Sequence, residues 1–444
     1  MGKPDFSRLN NKHFVVLMMN AFVFVANFAT GYLLFHFLSI EAAGMYFFVQ
    51  SFVTLCGAAR TGFLSTATIT FYAGADTERA ATVLGSVWFL ALALSLLALA
   101  LNAGALLFLP YTHNEELILC IKWVGITFFA TLPSDVVLWR LQADEKYMKM
   151  FIYNVIKSTT VLIAYVILIA THRMTVENVL LWAFLSSIIC SLAGMMWNLS
   201  GIKYIAHRSK ECMTELFHYG KYTLGTTSIS VMLNNADTWI INFMLGPAQV
   251  AIYNLALRFI AFVELPIRTF LTTGMSEMAI AFNKNDMKQT TDIFKKYTGM
   301  LTIALIPIII CAVLLADIPI NFLGGAKYHG SAAANVLRLF MVLSILFPLD
   351  RFNGVALDIT RNTKINFYKI IIMLVLTVTF DFVGVAVTGN VYGAALCTYV
   401  VIIVAIIYGN YQLRKHMDYT IPGILSSGYA EIKEIVRQNR KPKQ

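Results

Sequence analysis

The chain of 444 residues is 58% hydrophobic and only 13% charged, against roughly 25% charged residues in a soluble domain. So little charge cannot give soluble domains a polar surface, and lipid must supply much of the solvent. The formal charge of +10 fits membrane-flanking loops beside anionic headgroups, and excludes nucleic acid as the expected partner.

Met1 to Lys12 is polar and carries no cleavable signal pattern, so the first helix is expected to be retained. A spanning helix needs about 20 mostly apolar residues. Such runs predict twelve spans, at 13–38, 44–73, 80–108, 116–141, 149–171, 175–203, 219–245, 250–282, 291–318, 331–357, 365–387 and 391–412. With the N-terminus inside, only Arg173 and Lys327 of the loop cations fall outside. Lys3, Arg8, Lys12, Arg79, Arg140, Lys203, Lys284, Arg361 and the C-terminal cations Arg414, Lys415, Lys433, Arg437, Arg440, Lys441 and Lys443 fall inside with the rest. A miscounted helix would invert every later loop, so the count and the cytoplasmic placement of both termini support each other. The outer loops, such as Ser39–Ala43, Pro110–Glu115, His172–Thr175 and Gly246–Gln249, are too short for a folded domain. Past Pro422, Ile424, Leu425, Ile432, Ile435 and Val436 are set among Lys433 and Arg437, which reads either as a short interfacial helix or as a frayed basic tail. No two of Cys56, Cys120, Cys190, Cys212, Cys311 and Cys397 have metal-ligand spacing, and no metal site is expected.

Laid over itself at an offset of 207, the sequence matches its first two spans to its seventh and eighth without a gap. Asn27 meets Asn234, Ala29 meets Ala236, Leu38 meets Leu245, Tyr46 meets Tyr253, Phe52 meets Phe259, and Phe63-Leu64-Ser65-Thr66 meets Phe270-Leu271-Thr272-Thr273. Six helices per half imply two lobes of like orientation, 1–210 and 211–415, followed by a cytoplasmic tail at 416–444. Proteins of this kind bind substrate near the midplane and rock between two accesses.

Charges within spans are expensive and usually face a bundle interior or a wet cavity. The basic ones are Arg60, Lys122, Lys157, Arg258, Arg268, Arg338, Arg351 and Lys369; the acidic ones are Asp135, Asp237, Glu264, Glu277, Asp350 and Asp381. Lys122, Lys369 and Asp381 lie within two turns of a predicted helix end, where they can snorkel. Glu264 and Arg268 are spaced to pair along one helix face. Arg60 and Arg268 fall at matching depth in matching spans, which predicts that both face one cavity. Its cationic balance suits an anionic substrate, since Arg matches phosphate oxygens. Arg60, Lys157, Arg258, Arg268 and Arg338 are the candidate substrate-binding residues. Asp237 and Glu264 are the ion-coupling candidates, and Asp237 is either a proton or Na⁺ site or only the neutraliser of an Arg.

The stretch Asn234-Asn235-Ala236-Asp237-Thr238-Trp239 through Leu245-Gly246, followed by Val250-Ala251-Ile252-Tyr253, resembles the bacterial polysaccharide flippases, including O-antigen flippases, of the multidrug/oligosaccharidyl-lipid/polysaccharide (MOP, MATE-like) exporter superfamily. Leu38 through Glu41 and Ala43-Gly44-Met45-Tyr46 resemble it again. The resemblance implies an all-α polytopic fold with about twelve transmembrane helices in two six-helix lobes. It implies translocation of a polyprenyl-diphosphate-linked oligosaccharide across the bacterial inner membrane, coupled to H⁺ or Na⁺ in several members and without another cofactor. Membrane lipid and polysaccharide-assembly enzymes are the expected further partners. The first span here carries only Asn20 and Asn27, where lipid II flippases bear charge, which weighs against lipid II as cargo.

Two other readings compete. A multidrug antiporter of the same superfamily would favour acidic sites for cationic drugs. A membrane-embedded polysaccharide polymerase or ligase would need an outer acid–base constellation, yet His113, Glu115, Glu116, His172, Asp317 and His329 are scattered over separate short loops. No Gly-rich phosphate loop ending in Lys-Ser/Thr is present, and an enzyme is not expected.

Overall fold

The computed structural model describes the backbone of residues 6–439 and the side chains of residues 14–434 and Arg437. Lys3, Arg440, Lys441 and Lys443, and the side chains of Arg8, Lys12, Ile435 and Val436, lie outside the described residues. Among these residues every regular element is a helix. In order they are α1 (Phe6–Phe37), α2 (Ile40–Tyr72), α3 (Thr77–Ala105), α4 (Glu115–Ala130), α5 (Leu132–Ala143), α6 (Tyr147–Ala170), α7 (Val176–Met196), α8 (Lys210–Leu245), α9 (Pro247–Asn283), α10 (Met287–Leu314), α11 (Asp317–Gly324), α12 (Ala333–Leu343), α13 (Phe347–Ile359), α14 (Thr363–Thr388), α15 (Val391–Leu413) and α16 (Ile421–Asn439).

Among the described residues eleven helical segments are long and apolar enough to cross a membrane, with α4 and α5 forming one and α12 and α13 another. The seventh predicted span lies in α8. That helix is long enough, but Asn234, Asn235, Asp237 and Asn242 leave it less apolar than the others. The protein is an all-α, multi-pass membrane protein with about twelve spanning helices.

Short caps explain where the helices begin. Ser39 accepts the Ala42 amide at 3.1 Å to open α2, and Asp76 accepts the Arg79 amide at 2.7 Å to open α3. Asn114, Asp286 and Asn390 do the same for α4, α10 and α15. Gly246, at φ 85°, makes the α8–α9 turn, and Pro247 follows at the first helical position, where its missing N–H costs nothing. The starts of α2 and α9 keep the register in which the sequence overlies itself.

Two spans are broken. The α4–α5 break falls at Thr131, just before Pro133; the α12–α13 break is a 3₁₀ turn at Ser344–Leu346, just before Pro348. The sequences after the breaks are parallel: Leu132-Pro133-Ser134-Asp135 and Phe347-Pro348-Leu349-Asp350.

Contacts divide the chain into two compact units, Met1–Met232 and Leu233–Gln444. The division falls inside α8, beyond residue 210. The first half of α8 packs backbone-close on α2: a Cβ at Gly220 would stand 2.2 Å from the Phe63 carbonyl, and one at Gly62 would stand 2.7 Å from Thr227. The first unit has a core of Leu64, Val83, Leu84, Trp88, Trp139 and Leu216, and the Trp88 indole donates to the Ser200 carbonyl at 2.8 Å. The second has a core of Phe294, Tyr297, Leu301, Phe352, Leu357 and Leu413 that extends to Tyr419 and Ile424.

The tail segment is a helix rather than a frayed end, and α16 begins at Ile421. It packs on α10 where Gly299 meets Gly428 and Ile424, a Cβ on Gly299 coming within 2.0 Å of the Ile424 carbonyl. Lys296 pairs with Glu431 at 2.6 Å.

Candidate functional site

Arg60 departs from expectation. It sits mid-way along α2 with no solvent exposure, so it is not an open cationic surface of this structure. One terminal nitrogen donates to Ser95 Oγ at 3.0 Å and to the Phe128 carbonyl at 2.7 Å. The other donates to Thr131 Oγ1 at 2.7 Å and to Asp135 Oδ2 at 2.6 Å. The guanidinium carbon also lies 4.2 Å from the Phe128 ring centre. A buried Arg must be paired and hydrogen-bonded to hold its charge, and the α4–α5 break supplies those partners by turning the Phe128 carbonyl and Asp135 inward. Arg60 is therefore a strut of the first unit.

The second unit has the counterpart. Asp350 follows Pro348 and is nearly buried; it takes Lys369 of α14 at 2.6 Å, and the Lys369 ammonium also donates to the Asp350 carbonyl oxygen at 3.1 Å. Lys369 does not snorkel, because it is 4% exposed and held at Asp350. Lys122 is exposed and pairs with Glu177 at 3.3 Å.

Arg268 is placed quite differently from Arg60. It lies 76% exposed on α9, within a spanning segment, and pairs with Glu264 at 2.8 Å. Arg351 of α13, 46% exposed, reaches the other Glu264 oxygen at 3.3 Å. Arg351 also stands 3.7 Å from Asp350, whose carboxylate is taken by Lys369, so three cations and two carboxylates leave a net positive cluster on the second unit with both guanidinium groups accessible. Exposed charges within a span belong in water rather than in lipid. Arg258 is half-buried on the same helix, and Lys157 is half-buried on α6 of the first unit. Arg338 joins none of these. It donates to Asp317, to Asn335 Oδ1 at 2.6 Å and to the Val313 carbonyl at 3.1 Å, which fixes it between the end of α10 and the start of α11.

Asp237 of α8 accepts the hydroxyl hydrogen of Tyr253, a buried residue of α9. Beside both stands Asp381 of α14. Asp381 has no solvent exposure, so it does not snorkel either. Neither of its carboxylate oxygens has a hydrogen-bond donor in the structure. Two adjacent carboxylates served by a single phenol, with Thr398 next to that phenol, form a site that a proton or a small cation would neutralise. Glu264, the other ion-coupling candidate, is taken up by its two arginines. Among the described residues no group of three or more His, Cys, Asp or Glu side chains is placed to hold a metal ion.

Nearness to a predicted helix end hides the buried partnerships of Asp381 and Lys369. The repeated Pro-x-Asp pattern was the available signal for the two buried pairs.

Residues 33–333 match the sequence model of a family described as polysaccharide biosynthesis protein. Among curated proteins, no relative matches the chain. Among solved structures, the fold is similar to an inward-facing multidrug resistance MATE family transporter of the MOP superfamily: TM-score 0.74 and 17% identity, over 88% of this chain and 95% of that one. It is similar to the lipid II flippase MurJ in an inward closed conformation, with TM-score 0.73 and 16% identity over 96% and 93% of the two chains. A MOP superfamily transporter from Pyrococcus furiosus, described as having a binding pocket of reverse polarity, matches with TM-score 0.59 and 19% identity over 92% and 95%. At these identities the likeness establishes the fold.

Proposed function

The chain belongs to the family of polysaccharide biosynthesis proteins, and from that premise we propose that it is a flippase carrying a polyprenyl-diphosphate-linked oligosaccharide across the bacterial inner membrane by alternating access, with both termini cytoplasmic. The observation that carries this reading is the exposed cluster of Arg268, Arg351 and Glu264. Its net positive charge at a wet surface within the span suits a diphosphate headgroup, to which guanidinium groups can donate in pairs. Arg258, on the same helix as Arg268, extends the candidate cationic surface of the second unit, while Arg60 contributes by holding its own bundle together. The positive sign argues against a cationic drug as cargo.

The acidic pair Asp237 and Asp381 is the proposed coupling site. Taking up H⁺ or Na⁺ there would remove the repulsion between the carboxylates and so bias the packing of α8, α9 and α14. Polysaccharide-assembly enzymes would supply and receive the cargo.

The test is export of the lipid-linked glycan in cells that carry Arg268→Ala or Arg351→Ala at normal membrane abundance. Each variant should lose most export, and Arg268→Lys should recover part of it. Full export in both Ala variants would refute the assignment.

A further inference from the structure

A cavity of about 500 Å³ opens at the junction of α15 and α16, lined by Ile407, Asn410, Tyr411, Arg414, Lys415 and Ile421. Its chemistry changes along its length. Ile407 and Tyr411, 62% and 64% exposed, lie one turn apart on the last part of a membrane-spanning helix. Arg414 and Lys415 follow directly after that helix ends, and basic residues just beyond the end of a spanning helix are suited to the headgroup region. Ile421, the first residue of α16, closes the far side. Among the described residues neither cation has a carboxylate partner. The Arg414 guanidinium rests 5.8 Å from the Tyr419 ring centre; the Lys415 ammonium rests 4.6 Å from the Tyr411 ring centre and donates to Gln412 Oε1 at 2.9 Å.

We propose that this cavity binds an anionic phospholipid of the surrounding membrane, with its phosphate on Arg414 and Lys415 and an acyl chain along Ile407 and Tyr411. Two unopposed cations at the lip of an apolar wall complement a phosphate carried on a hydrocarbon chain, and basic pockets beside spanning helices hold headgroups in this way. Their favourable position at a helix C-terminus accounts for one isolated cation, not for a shared cavity with an apolar floor. The position at the end of a spanning helix, beside its lipid-exposed residues Ile407 and Tyr411, favours a resident membrane lipid over the transported one. Asn410 makes the site more than a surface patch. Its side chain lines the cavity and also accepts hydrogen bonds from Asn353 of α13 at 3.2 Å and from Tyr419 at 2.8 Å. A lipid seated there would brace the link between α13, α15 and α16.

The experiment uses the full-length protein in neutral detergent, with phosphatidylglycerol, phosphatidylcholine, glycerol 3-phosphate and a polyprenyl phosphate as separate probes, read by native mass spectrometry and by thermal shift. Phosphatidylglycerol should bind and raise Tm while phosphatidylcholine does not. R414Q/K415Q should weaken phosphatidylglycerol binding about tenfold or more, and Lys415→Gln alone should give an intermediate loss. The charge-retaining pair R414K/K415R should bind nearly as the parent does. Neutralising Lys203 and Arg208, an exposed basic pair on the first unit, should change nothing. The proposal is overturned if R414Q/K415Q binds normally, or if the Lys203 and Arg208 control loses as much. It is likewise overturned if glycerol 3-phosphate binds as tightly as the lipid, or if polyprenyl phosphate displaces phosphatidylglycerol from the site. Should the double variant fail to accumulate, unaltered binding by Lys415→Gln overturns it.

Discussion

Asp135 and Asp350 hold the same local place in their respective units: each stands two residues after a proline at the break of a spanning helix, and each takes a buried cation at 2.6 Å. The cations come from different elements, Arg60 from α2 and Lys369 from α14. The shared feature is therefore the broken helix and its carboxylate, not the partner. In both units the break turns backbone and carboxylate oxygens toward the interior, where a cation finds both a carboxylate and a main-chain carbonyl.

Removing one member of such a pair leaves the other uncompensated. Arg60→Met should destabilise the protein by about 3–5 kcal/mol, the usual cost of breaking a buried pair. R60M/D135L, which removes both charges, should recover a large share of that loss. Thermal unfolding of purified protein in detergent measures both, and equal losses in the single and double variants would show that Arg60 acts through packing alone.

Asp237→Asn and Asp381→Asn should each fold, because each relieves the repulsion between the two carboxylates. Both should alter or abolish the dependence of transport on an H⁺ or Na⁺ gradient in reconstituted vesicles. Tyr253→Phe, which removes the phenol donor but keeps both charges, should shift the dependence less. An unchanged ion dependence in both Asn variants would remove this pair from the coupling scheme.

Gly428 faces the backbone of Gly299 so closely that a Cβ would stand 2.1 Å from the Gly299 carbonyl carbon. Gly428→Val should therefore displace α16 from α10 and break the Lys296–Glu431 pair, exposing the tail to trypsin at Lys433 and Arg437. Proteolysis equal to that of the parent protein would mean that the helix finds another seat.

Lys327, outside the spanning segments, is held by burial at a pKa of about 8, below its ordinary value of 10.5. The folded protein then binds fewer protons than the unfolded chain between those two values, so stability rises with pH across that window. Below about pH 8 both states are protonated and the full penalty of burying the charge applies. Lys327→Met should accordingly be more stable than the parent at pH 7, with the difference shrinking as pH rises toward 10. A difference in Tm that stays constant over that range would contradict the assignment.

The architecture could be read from the sequence because its physical basis is local. Twenty-residue apolar runs, caps such as Ser39 and Asp76, and the Gly246-Pro247 turn each act within a few residues, and α9 starts in the register set by α2. Charge partners could not be read the same way. Arg60 and Arg268 look equivalent along their helices, yet one is sealed against Asp135, 75 residues away, and the other stands open beside Glu264. Which side of a helix meets a neighbour depends on rotation and packing, and these are set by contacts distant in sequence. Asp381 shows the same difficulty: its distance from a helix end suggested escape to the interface, while packing against α8 and α9 enclosed it.

The break between α4 and α5 has a consequence for divergence. The bend that Pro133 imposes and the charge that Arg60 brings answer each other, since the Phe128 carbonyl at the bend is satisfied from α2 and Asp135 neutralises the guanidinium. Losing Asp135 leaves the buried Arg60 charge uncompensated, and losing Arg60 leaves the Asp135 carboxylate without its cation. Descendant sequences should therefore keep Arg60 and Asp135 together or discard them together, with few viable intermediates between the two states.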